Sequence, residues 1–79
     1  MNTVYLAGRR YDLVSNILLV KSKWYGMYKY NEEGDTTYAV IETTRQGGAS
    51  ILMISPFSNF DWESRIESRS SLEQSVFNN

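Results

Sequence analysis

Between Lys23 and Ser55 the chain alternates runs of aromatic and β-branched residues with short polar turns that contain glycine. That alternation commits the middle of the chain to a sheet, because such side chains fit a pleated surface and glycine-containing polar turns reverse it. Trp24 to Tyr30 is the first run and Thr36 to Thr43 the second, with Asn31-Glu32-Glu33-Gly34-Asp35 between them. Arg45-Gln46-Gly47-Gly48 makes another turn, and Ala49 to Ser55 is a third apolar run. The spacing predicts a three-stranded antiparallel meander over residues 23–55, with Gly34 and one of Gly47 or Gly48 at positive φ. In its first strand Trp24, Tyr28 and Tyr30 share one side with Gly26, while Lys23, Tyr25, Met27 and Lys29 share the other. Ile51-Leu52-Met53-Ile54 is apolar on both sides, which reads as a strand interior to a sheet or covered by helices.

The flanks are less regular. Thr3 to Ala7 reads as an N-terminal strand ended at Gly8. Residues 12–25 fit two templates. Leu13, Val14, Ile17, Leu18, Trp24 and Tyr25 form a helical stripe that Asp12 could cap, and this reading is favoured. The β-branched Val14, Ile17 and Val20, with a possible hairpin at Gly8-Arg9, speak for strand instead. After Pro56, Ser58 or Asn59 can cap a helix with acidic Asp61 and Glu63 in its first turn and Trp62 and Ile66 on one face. A second helix is expected to start near Ser70, where Glu73 completes capping-box spacing, and to carry Leu72, Val76 and Phe77. The expected fold is a single α+β domain over residues 1–79: a small antiparallel sheet, the 23–55 meander plus an N-terminal strand, packed against one or two helices.

A helix, three strands and a final helix resemble the order of double-stranded-RNA-binding domains. That family's last helix offers lysines to phosphates, whereas Asp61, Glu63 and Glu67 occupy the corresponding stretch here. The order therefore carries no function over.

The chain has neither histidine nor cysteine in 79 residues. It lacks the imidazole base, the thiolate nucleophile and the two commonest transition-metal ligands. No Ser-x-x-Lys motif is present, and Gly47-Gly48 is followed by Ala49 rather than by the lysine of a phosphate-binding loop. The 31–35 turn lacks the length and the closing glutamate of a calcium loop. These absences argue against an enzyme and against any cofactor or metal. Without disulfides, so short a chain depends on packing or on a partner, which makes a homo-oligomer the expectation. Ile17 to Val20, as long as any apolar run in the chain, falls far short of the roughly 20 residues that span a bilayer. No signal peptide is evident, so the expected location is the cytoplasm, away from membranes.

Charge is unevenly spread. Residues 1–30 hold Arg9, Arg10, Lys21, Lys23 and Lys29 against Asp12 alone, whereas every other acid lies after Tyr30. An acidic surface that seeks a basic protein partner follows, with Glu32, Glu33 and Asp35 at its centre and Glu42, Asp61 and Glu63 as further candidates. The expected function is a small non-enzymatic protein-binding module, an adaptor or an inhibitor of the kind encoded by phages and mobile elements. The alternative is a single-stranded nucleic-acid binder that stacks bases on Tyr25 and Tyr30 and meets phosphates with Lys23 and Lys29.

Overall fold

The computed structural model describes residues 3–68. Its strands are β1 (Thr3–Leu6), β2 (Arg9–Leu13), β3 (Leu18–Val20), β4 (Lys23–Glu32), β5 (Asp35–Thr44) and β6 (Ala49–Ser55). All are antiparallel in one sheet of order β1-β2-β4-β5-β6, with β3 also paired to β4. Among the described residues a single short helix, α1, follows over residues 62–68.

Local chemistry sets the reversals. Three two-residue turns, Ala7-Gly8, Lys21-Ser22 and Glu33-Gly34, have positive φ at both positions. That is the turn whose twist matches a hairpin. The β5–β6 connection is longer: Gly47 takes a φ of 92° and donates to the Thr44 carbonyl, while the Thr44 N–H donates to the Gly48 carbonyl. The expected meander and the positive φ of Gly34 and Gly47 are thus both present.

The α+β expectation is overturned: the described chain is mostly β, with one helix of seven residues. The favoured helix over 12–25 is absent: residues 12–13 and 18–20 pair with β4, and residues 23–25 begin β4 itself. The reason is backbone accounting. β4 has ten residues, β5 covers one edge along its whole length, and the other edge needs partners for its buried polar groups. β2 and β3 supply them, with Leu13 opposite Tyr28 and Leu18 opposite Tyr25. Residues 14–17 bow outward between these pairings. There the Val14 N–H donates to the Met27 carbonyl, and the Met27 N–H donates to Ser15 Oγ. Asp12 caps no helix; its carboxylate accepts from Thr3 Oγ1 at 3.1 Å and Arg10 Nε at 3.0 Å. The expected second helix beyond Ser70 lies outside the described residues.

The sheet buries both faces in part. On one face Tyr25, Met27 and Val40 meet Trp62 and Ile66, one turn apart on α1, with Leu52 and Met53 packed alongside. On the other face Tyr11, Tyr28, Ala39 and Ile41 are buried, and Val4 and Leu6 of β1 lean against them. The split of β4 into two faces is as its alternation predicts, although Trp24 is only half buried while Tyr28 is core. The third apolar run departs from expectation. β6 is not interior but the last strand of the sheet; α1 covers one of its faces, where Leu52 and Met53 pack, while Ile51 and Ile54 on the other remain exposed. A final strand of a meander has a single neighbour, so topology overrides what its composition suggests.

Candidate functional site

The acidic candidates do not form one surface. Glu32, Glu33 and Asp35 are exposed together at the β4–β5 tip. Arg9 approaches the tip, its Nη2 3.7 Å from Glu32 Oε2 and its guanidinium 4.9 Å from the centre of the Tyr30 ring. Glu42 pairs with Tyr25, seven residues back along the hairpin, so it stands roughly 23 Å from the tip at strand spacing. Its carboxylate accepts from the Tyr25 hydroxyl at 3.0 Å and lies 3.8 Å from Lys23 Nζ. These are internal bonds of the sheet. Asp61 accepts from the Ser64 N–H at 3.3 Å and so caps α1, and Glu63 is exposed on that helix.

The aromatic and lysine candidates are also divided. By register Lys23, Tyr25 and Lys29 point to the α1 face and Tyr30 to the opposite one. Tyr25 is buried beneath α1. Tyr30 stacks edge-on against Tyr11 with 5.1 Å between ring centres, and Arg9 covers its face. Both rings are engaged within the protein. Lys23 and Lys29 are both exposed, and Lys23 lies near Glu42.

Electrostatics are mild. The Arg10 guanidinium holds the Asp12 carboxyl below its usual range, helped by the Thr3 hydroxyl. Burial raises the Tyr28 hydroxyl above the ordinary tyrosine value. Among the described residues no three His, Cys, Asp or Glu side chains gather as a metal site would require. The open depressions at Asp61, Ser64, Arg65 and Ser68 and at Gly8, Arg9, Arg10, Tyr30, Asn31 and Glu32 each hold a single carboxylate.

The surface that stands out was not among the sequence candidates. It is the free side of β6 and the turn after it. From Gln46 to Phe60 the chain carries no charge. Ile51 is 37% exposed, Ile54 65% and Phe57 67%. By register Ile51 and Ile54 lie on the face that carries Trp24, where Ile17 and Leu19 are exposed as well. β6 pairs with β5 on one side only, and among the described residues no strand lies on the other. Two signals in the sequence point to it: the uncharged stretch, and the position of that run as the last strand of a meander.

No helix of the described residues is long and apolar enough to cross a membrane. Comparison with protein-family models, with curated proteins and with solved structures finds no match to this chain.

Proposed function

We propose that the protein is a small binding module, without catalytic chemistry of its own, that engages another protein along the open edge of β6. The observation that carries this reading is a seven-residue edge strand flanked by exposed Ile51, Ile54 and Phe57 in a segment free of charge. An unpaired edge offers a row of N–H and C=O groups to an incoming strand, and the apolar side chains beside it supply burial and register. Soluble proteins usually guard such edges with charge, so leaving one bare costs solubility unless something covers it.

The exposed tip formed by Glu32, Glu33 and Asp35 suits a supporting role, drawing a basic partner by long-range attraction. An adaptor or inhibitor, such as phages and mobile elements encode, fits this reading. A reducing cytoplasm suits a chain without cysteine. Stacking of nucleic-acid bases is the weaker alternative, because Tyr25 is buried in the core beneath α1 and Tyr30 already spends its ring on Tyr11 and Arg9.

The test is affinity capture from the source cells with the wild-type chain and with an Ile51→Lys/Ile54→Lys variant. A partner retained by the first and lost by the second supports the edge. A partner retained equally by both removes it. Steep, salt-sensitive binding of single-stranded oligonucleotides would favour the alternative.

A further inference from the structure

We infer that the edge of β6 pairs with β6 of a second copy, joining two sheets into one across a two-fold axis. This rests on the reading of β6 as a binding edge and adds the partner's identity.

Among the described residues the sheet has open edges at β1, β3 and β6, and they are unequal. β1 has four residues and β3 three; β1 is followed within its hairpin by Arg9 and Arg10, and β3 by Lys21 and Lys23. Short length and nearby charge are the usual protections of an edge. β6 is longer, and after Arg45 in its hairpin turn no charge occurs from Gln46 to Phe60, so the strand itself and the turn after it carry none. Its one guard is the bulge opposite Val40 and Ile41, which places Leu52 with Met53 on the α1 core.

A strand that adds to this edge must itself be unpaired and must set no charge against Ile51 or Ile54. β6 of another copy meets both conditions. Antiparallel pairing of a strand with its own copy is two-fold symmetric, so one contact satisfies both edges and closes the assembly. The charge of −1 per chain opposes the approach only weakly. The N–H of Ala49 is available for the new ladder: the Thr44 N–H to Gly48 carbonyl bond turns Gly48 toward β5, and alternation turns Ala49 outward.

The contact is modest. A strand about 23 Å long presenting an edge about 10 Å deep falls below the roughly 800 Å² that each partner buries in a standard interface. Half-association is therefore expected at a protomer concentration on the order of 0.1 mM.

The test is sedimentation equilibrium of the wild-type chain from micromolar to millimolar concentration, with hydrogen exchange of the β6 amides at both ends of that range. The expected result is a rise from monomer to dimer mass, with Ala49 exchange slowed about fivefold in a sample near 1 mM, where about a fifth of the chains remain monomeric. The Ile51→Lys/Ile54→Lys variant, altered only at exposed positions, should keep its circular dichroism and remain monomeric. A dimer that persists in this variant would overturn the inference. So would a wild-type monomer at every concentration with Ala49 exchanging freely, although the edge would then still be open to a different protein. A wild-type monomer with Ala49 protected at every dilution would mean that the chain covers its own edge, and would overturn the binding-edge reading too.

Discussion

Gly26 shows how a single residue sets the packing of this sheet. A Cβ placed there would stand 2.9 Å from Ile17 Cδ1, 3.0 Å from Leu13 Cδ1 and 3.1 Å from Tyr28 Cε1. The missing side chain lets Leu13 and Ile17, from either side of the outward bow, close over β4. Gly26→Val should therefore destabilise the fold by about 2–3 kcal/mol through overpacking, read as a lower urea midpoint. Tyr28, two residues on, gives a pH signature. Burial raises its hydroxyl pKa, so the folded chain holds that proton longer than the unfolded chain does. The associated stability is complete below the ordinary tyrosine value near pH 10 and is lost as pH rises through the folded value. Alkaline titration of the thermal midpoint should therefore fall less steeply above about pH 10 for Tyr28→Phe than for the wild type. An identical slope would show that burial at Tyr28 is not linked to folding.

Among the elements, the β3–β4 hairpin is built on the least suitable turn. Lys21 and Ser22 hold φ values of 50° and 69°, where side chains crowd the backbone. The Ala7-Gly8 and Glu33-Gly34 turns place glycine at the second position, but here serine stands there. Ser22→Gly should relieve strain and raise stability by about 0.5–1 kcal/mol, partly offset by the greater entropy of the unfolded chain. An increased urea midpoint with an unchanged slope is the expected outcome. A decrease would mean that the serine side chain contributes more than its backbone strain costs.

For the whole molecule, charge and apolar surface are segregated. The acidic tip closes the β4–β5 hairpin, whereas the charge-free stretch begins at the β5–β6 turn, the other end of β5. Attraction at the tip acts at a distance, while adhesion along β6 needs contact. Reversing Glu32, Glu33 and Asp35 to Lys should slow association with a basic partner at low salt and flatten its salt dependence. The dissociation rate and the fold should change little, since the tip is exposed. Stopped-flow association at two ionic strengths measures this, and an unchanged on-rate would take the tip out of the encounter.

The sequence alone determined the parts of this fold that rest on local chemistry. Period-two alternation from Trp24 to Tyr30 and from Thr36 to Thr43, with Gly34 and Gly47 at the reversals, defines strands and hairpins whatever surrounds them. Trp62 and Ile66 likewise announce a short helix by their spacing. Residues 12–25 are ambiguous in the sequence because their apolar positions satisfy both periods, and for β2 and β3 only the uncovered edge of β4 decides for strand. The fates of Tyr25, Tyr30 and Glu42 were equally closed to sequence, since they depend on register: Tyr25 meets Glu42 only because β4 and β5 pair as they do. The same holds for β6. Its apolar residues fit a buried strand or an open edge, and the choice belongs to the tertiary structure because it depends on how many neighbours a strand has.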